Sequence, residues 1–262
     1  MKILLVGDIV GNPGRRFFGE TAKRLRAENI VQIIVANAEN AAGGSGITLP
    51  IAAELLGAGA DVLTLGDHAW GQKGLEGTIG KEKRLLRPAN FPADTPGQCS
   101  VTIQTALGPL SVVSLVGRVF MNPADCPFRA VDAELRRLPA NVPVIVDFHA
   151  EATSEKIAMG HHLDGRVAAV VGTHTHVQTS DSVILPKGTA YMTDLGMTGP
   201  YHSVIGRQIA PVLKRFTTGI PAKFEVATGP CVLEGAILDI SNATRKAVSI
   251  EPFRVREPMT AQ

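Results

Sequence analysis

Short apolar runs rich in valine and isoleucine punctuate the chain at 2–7 (KILLVG), 31–37 (VQIIVAN), 61–66 (DVLTLG), 143–148 (PVIVDF) and 167–172 (VAAVVG). Runs of this length with little polar alternation are those of strands covered on both faces, as in parallel sheets. Between them lie stretches with helical spacing: Pro13 to Glu28, where Phe17, Ala22 and Leu25 share a face, then Leu49 to Leu56, and Asp125 to Leu138. Alternating strands and helices predict a layered α/β architecture.

A second group of runs has turns but few helices between its members: SVTIQT at 100–105, LSVVSLV at 110–116, KFEVAT at 223–228, VLEGAILDI at 232–240 and AVSIEPF at 247–253. These are expected to be antiparallel. The fold class that results is α/β, a sandwich of two β-sheets flanked by helices, with the mainly parallel portion carrying the chemistry. At 262 residues the chain fits a single domain spanning 1–262, since α/β domains run to about 250 residues as one unit.

Composition narrows the class. With 45% hydrophobic and 19% charged residues the chain is globular, and its net charge of +2 comes without a run of like charges that would demand a nucleic-acid or membrane partner. Cys99, Cys126 and Cys231 have no C-x-x-C spacing, which speaks against a disulfide framework or a thiolate zinc site and suits a reducing compartment. The apolar run after Met1 is too short for a signal peptide, and none approaches the roughly 18 residues of a membrane span. A cytoplasmic protein is expected.

The informative feature is the group of polar residues at the end of each buried run: Asp8, then Glu39-Asn40, Asp67-His68, His149-Ala150-Glu151, and His174-Thr175-His176. In α/β sheets ligands bind outside the carboxyl ends of strands, so the five clusters are expected to converge. Taken singly, Asp8, Asn40 and Asp67 have ordinary readings as turn formers or caps, and His149 one as a hydrogen-bonded core histidine. His174 and His176 are sharper, because alternation along an extended segment would put both rings on one face. The set is nitrogen and oxygen only, which suits Mn, Fe or Zn.

Seven candidate ligands, Asp8, Glu39, Asn40, Asp67, His149, His174 and His176, exceed what one ion with open positions needs. Two ions sharing a carboxylate, for which Glu39 is the expected bridge, would use them all. His68 neighbours a ligand without being required as one, and is the expected acid for a leaving alkoxide. Glu151, Thr153 and Ser154 open a helix whose first turn they are expected to cap. Gly43-Gly44-Ser45-Gly46 lacks the P-loop ending and reads as a flexible loop bordering the site, while Arg118, Arg129, Arg166 and Arg207 are arginines able to meet phosphate.

These motifs resemble a bacterial family, the YmdB-like metallophosphoesterases of the calcineurin-like superfamily. The resemblance runs through GDIVG at 7–11, NAENAAGGSGIT at 37–48, LLRPANFP at 85–92, HAEATSEK at 149–156, DGRVAAVVGTHTHVQTSD at 164–181 and TDLGMTGPYHSVIG at 193–206. It implies a four-layer fold, the same seven ligands with His68 assisting, and two divalent or mixed-valence ions, Fe or Mn before Zn. It also implies hydrolysis of cyclic nucleotides, 2′,3′-cyclic ones first, by attack of a metal-bound hydroxide. The competing readings are a metal-dependent nucleotidase or phosphomonoesterase, and a weakly active metal-containing regulator that binds RNA or protein. RNA and a second copy of the chain, in a homo-oligomer paired through exposed sheet edges, are the remaining partners the sequence leaves open. Asp67 stands where the family pattern has asparagine, and His161-His162 where it has aromatic residues; these two histidines are expected to be solvated.

Overall fold

All five unbroken apolar runs form strands. In the computed structural model, which describes residues 1–258, the chain passes through β1 (Lys2–Val6), β2 (Asp8–Ile9), α1 (Gly11–Ala27), β3 (Ile33–Asn37), α2 (Leu49–Gly57), β4 (Val62–Thr64) and β5 (Leu85–Leu86). It continues through β6 (Ser100–Thr105), β7 (Gly108–Val116), α3 (Pro127–Arg137), β8 (Val144–His149), α4 (Thr153–Leu163), β9 (Ala169–Thr173), β10 (Val183–Ile184) and β11 (Ala190–Met192). It closes with β12 (Met197–Pro200), α5 (Ile209–Thr218), β13 (Cys231–Ile240) and β14 (Ala247–Arg256). One sheet has eight strands in the order β2-β12-β13-β1-β3-β4-β5 with β14 on β13, and the other six in the order β10-β11-β9-β8-β7-β6.

Alternation along each strand builds the layers. Ile3, Leu5, Ile33 and Val35 of the larger sheet pack in one core with Ile145, Ala169 and Val171 of the smaller. The intervening Leu4, Val6, Ile34 and Ala36 pack instead with Phe17, Phe18, Ala22 and Leu25 of α1 and with Ala52 and Leu55 of α2. On the far side Val146, Phe148 and Val170 meet Val131 of α3 and Met159 and Leu163 of α4. The order is helix, sheet, sheet, helix, with each fully buried aliphatic contributing about 1.5 to 3 kcal/mol. Phe18 is completely buried, and truncating it to alanine would cost about 3 to 5 kcal/mol.

β1, β3, β4 and β5 run parallel in the larger sheet, as do β7, β8, β9 and β11 in the smaller. Their carboxyl ends carry the five clusters. Some expectations are corrected. β7 is antiparallel to β6 but parallel to β8, so it joins the parallel portion. The run 223–228 is not a strand: only Val226 pairs, in an isolated bridge to Arg207. Thr153 and Ser154 do not cap α4; Ala152 is the N-cap and offers no side-chain acceptor. Among the described residues no helix is long and apolar enough to cross a membrane.

Candidate metal centre

The carboxyl ends of β1, β3, β4, β8 and β9, with the residues that follow them, bring all seven expected ligands together. Glu39, Asp67, His149 and His174 each offer an atom within 4.8 Å of the others, a group able to hold a metal ion. His149 Nε2 lies 3.1 Å from both Glu39 Oε1 and Asp67 Oδ1, and 2.9 Å from His174 Nδ1. Beside this lobe sits a second. Asn40 Nδ2 lies 3.3 Å from Asp8 Oδ1, 3.3 Å from Glu39 Oε1 and 3.1 Å from His176 Nε2, while His176 Nε2 is 3.6 Å from Asp8 Oδ1. Glu39 touches both lobes. Asp8, Glu39, Asn40 and His149 are each at most 2% exposed, so these polar groups have no water to fall back on.

The outer nitrogens of His149, His174 and His176 are each tied to the protein. His149 Nδ1 lies 2.9 Å from Thr173 Oγ1, His174 Nε2 lies 3.1 Å from Glu151 Oε2, and His176 Nδ1 lies 3.0 Å from the Ile205 carbonyl. Each ring thereby turns its other nitrogen inward toward carboxylates, the arrangement by which outer partners fix the tautomer of a metal-binding imidazole. A cation among the inward nitrogens and oxygens would satisfy both kinds of donor at once. The residues fit a metal centre.

Behind His149 the two sheets are joined by a buried carboxylate that the strand pattern concealed. Asp147, on β8, accepts from Thr173 Oγ1 at 2.8 Å, from Asn37 Nδ2 at 3.1 Å and from Thr64 Oγ1. Since the Thr173 hydroxyl donates to Asp147, its lone pair is left for His149 Nδ1–H. Burial pushes the Asp147 carboxyl up. Asn37 and Thr64 come from the larger sheet, so the network also sets how the sheets sit at the site. Gly66 is required nearby, because a Cβ there would run into the His149 ring and the Glu39 carboxylate.

His174 and His176 do not lie in an extended segment. β9 ends at Thr173, and both histidines have positive φ, 105° and 64°, uncommon for residues with a side chain and costing about 1 to 3 kcal/mol each. The two rings consequently serve different lobes. The loop is held by backbone bonds: His174 N donates to Asp8 Oδ2 at 3.1 Å, and Thr175 N to Asp194 Oδ2 at 3.1 Å. That same Asp194 oxygen pairs with Lys156 Nζ of α4 at 2.7 Å, both side chains 1% exposed. Neither Lys156 nor Asp194 stands out in the sequence, because a buried pair is visible only once its partner is known.

Opposite charges sharpen each other across the cluster. Burial pushes the Asp8 carboxyl up, but His176 and His149 beside it outweigh this and hold it below the usual carboxylate range; Glu39 and Asp67 are lowered likewise against burial, chiefly by His149. Reciprocally, burial would lower His149 and His176, yet Glu39 and Asp67 raise the first well above its ordinary value and Asp8 raises the second. His68 is raised by its hydrogen bond to Glu39. Its Nδ1 lies 3.2 Å from Glu39 Oε1 and 2.9 Å from Asn40 Oδ1, while its side chain is 43% exposed. It is the cluster's link to solvent.

Several flanking residues are already engaged. Arg207 donates to the carbonyls of Gly43, Gly44 and Phe224, and Gln72 Nε2 donates to Ser45 O at 2.7 Å, so the glycine loop is pinned rather than flexible. Arg166 pairs with Asp132 at 2.7 Å, which His162 also meets at 3.0 Å; His161 is exposed. Arg118 and Arg129 are exposed.

This arrangement, carboxylates and an amide from one sheet facing imidazoles from the other, coincides with a family match. The model of the YmdB-like protein family matches residues 4–253. The chain belongs to the YmdB-like family. It is 45% identical over 258 residues to the 2′,3′-cyclic-nucleotide 2′-phosphodiesterase of Bacillus subtilis strain 168, with 98% of each chain covered. A crystal structure of a novel phosphatase from Mycoplasma pneumoniae superposes with a TM-score of 0.92 at 32% identity, covering 99% of this chain and 94% of that one. The Haemophilus influenzae NAD nucleotidase structure shares the fold at 12% identity and a TM-score of 0.59, covering 98% of this chain and 56% of that one. The sandwich of two sheets flanked by helices is thus shared with both structures.

Proposed function

We propose that this YmdB-like chain is a metal-dependent phosphodiesterase of the cytoplasm that hydrolyses 2′,3′-cyclic nucleotides at a dinuclear centre. The observation that carries the reading is the set of three imidazoles, each anchored outside and turned inward onto shared carboxylates; the Bacillus subtilis relative supports the substrate class. Asp8, Asn40 and His176 would hold one ion, Asp67, His149 and His174 the other, and Glu39 both; Fe or Mn suits the mixed donors, with Zn as the alternative. Two such ions supply Lewis acidity at the phosphoryl oxygens and a nucleophile available at neutral pH. His68 holds a proton on Nδ1 between Glu39 and Asn40, and its other nitrogen, Nε2, is the group that gives a proton to the departing 2′-oxygen. Water adds its oxygen to phosphorus, the bond from phosphorus to the 2′-oxygen breaks, and a 3′-phosphate with a free 2′-hydroxyl is left.

Metal analysis of anaerobically purified protein, followed by assays with 2′,3′-cyclic AMP, 3′,5′-cyclic AMP, AMP and an aryl phosphodiester, tests the proposal. Two ions per chain and preferred turnover of the 2′,3′-cyclic diester are expected. Turnover confined to AMP would overturn it in favour of a phosphomonoesterase.

A further inference from the structure

Two residues beyond His68 the chain carries Trp70, its sole tryptophan. We propose that Trp70 and the cavity it lines bind the nucleobase of the substrate, by stacking on the indole; this rests on the nucleotide reading above. The cavity measures about 540 Å³ and is walled by Trp70, Pro92 and Pro96, with Lys73 and Asp94 among its polar groups. It is an open depression, in which the rings of Trp70, Pro92 and Pro96 stand among Lys73, Glu76, Asp94 and Thr95. A planar heterocycle with hydrogen-bonding edges matches both parts: rings for its face, an ammonium and a carboxylate for its rim.

The turn keeps the Trp70 backbone close to that of His68. Gly71 N donates to the His68 carbonyl at 2.8 Å, so His68 to Gly71 form a tight turn, and two residues on, the Trp70 Cα is at most about 7 Å from that of His68. In a 2′,3′-cyclic nucleotide the phosphodiester and the base sit on one ribose ring. A substrate that presents its 2′-oxygen to His68 therefore carries its base within reach of the next wall.

The walls are braced from within, as a stacking platform requires. Phe91 packs against the indole with ring centres 6.2 Å apart at 35°. Buried Arg87 donates to the carbonyls of Pro88 at 2.8 Å and Thr95 at 3.0 Å, which holds the segment bearing Pro92, Asp94 and Pro96. On the other side Gln72 ties the turn to Ala42 and Ser45. Little ordering remains to be done on binding.

Because Trp70 is the sole tryptophan, its emission reports on the cavity directly. Adenosine, which has no phosphate, should quench it saturably, and ribose should not. With the metal-loaded enzyme, Trp70→Leu should raise KM for 2′,3′-cyclic AMP by roughly 5- to 150-fold, the range of base stacking on an aromatic side chain. KM for glycerol 1,2-cyclic phosphate, the same five-membered diester without a base, should hold, and Trp70→Phe should restore most of the loss. Absence of quenching by adenosine, or equal KM changes on the two diesters, overturns the assignment. Failure of the wild type to turn over either diester would instead overturn the phosphodiesterase reading, and the adenosine titration still judges the cavity.

Discussion

The two sheets bring different chemistry to the centre. From the larger come Asp8, Glu39, Asn40, Asp67 and His68, which is to say all three carboxylates and the amide; from the smaller come His149, His174 and His176. Each half is electrostatically unfinished. Three carboxylates crowded at the strand ends of the larger sheet repel one another, and the buried His149 imidazole of the smaller gains Glu39 and Asp67 as counter-charges only when the sheets pack. The halves also differ in backbone. The oxygen side has ordinary strand-to-loop turns with Gly66 giving room, whereas two of the three imidazoles sit on strained positive-φ residues held by Asp8 and Asp194. A site shared in this way exists only in the packed sandwich, and each half can be broken separately.

The largest effect is expected from Glu39, the carboxylate shared by both lobes. Glu39→Ala should lose more than one equivalent of metal per chain and with it turnover, whereas His176→Ala should lose about one; retention of two ions at unchanged affinity in Glu39→Ala, by elemental analysis, would refute the dinuclear assignment. Next comes the solvent-facing member of the oxygen half. His68→Ala should keep its metal and lose roughly 10²- to 10⁴-fold in turnover on a diester with a poor leaving group, and far less on an aryl ester; equal losses on both would assign His68 to positioning.

Smaller effects probe what lies behind each half. Thr173→Val removes the hydroxyl that links Asp147 to His149 and should weaken metal affinity about 10- to 100-fold with little change in shape, measured by chelator competition. An affinity equal to wild type would mean that His149 keeps its tautomer without Thr173. Asp67→Asn preserves size and removes one negative charge from the oxygen half. Metal retention should fall by a few-fold and KM for a phosphodiester should fall with it, since the centre becomes more attractive to an anion. If retention and KM both stay at wild-type values, Asp67 does not act on the ions.

How much of this is legible in the sequence depends on whether a residue's partner lies in its own pattern. Strands with two apolar faces, such as 31–37 and 167–172, declare themselves, and polar residues at their ends stand out against that background. The short strands β10, β11 and β12 and helix α5 do not, because two to four residues carry no period and α5 leaves Leu213 and Phe216 exposed. The run 223–228 has the alternation of a strand but pairs only at Val226, in a single bridge to Arg207. His174 and His176 stand out for an incorrect reason: spacing suggests one shared face, whereas tertiary hydrogen bonds to Asp8 and Asp194 override the extended conformation. Asp147 is hidden inside PVIVDF, since a carboxylate in a buried strand has meaning only when Asn37, Thr64 and Thr173 are placed around it.

The buried pair of Lys156 and Asp194 bears on how this sequence can drift. Losing either charge alone leaves the other stranded, at about 3 to 5 kcal/mol, while replacing both with well-packed apolar residues can be neutral for stability. Here the double replacement would still leave Thr175 N without its acceptor, because the Asp194 oxygen that meets Lys156 also receives that amide. Two of the three routes away from the pair thus forfeit folding, and the third forfeits the loop that aims two imidazoles. Under selection for activity the two positions are locked together, and a library randomising both, screened first for soluble protein and then for turnover, should recover lysine with aspartate far more often in the second screen than in the first.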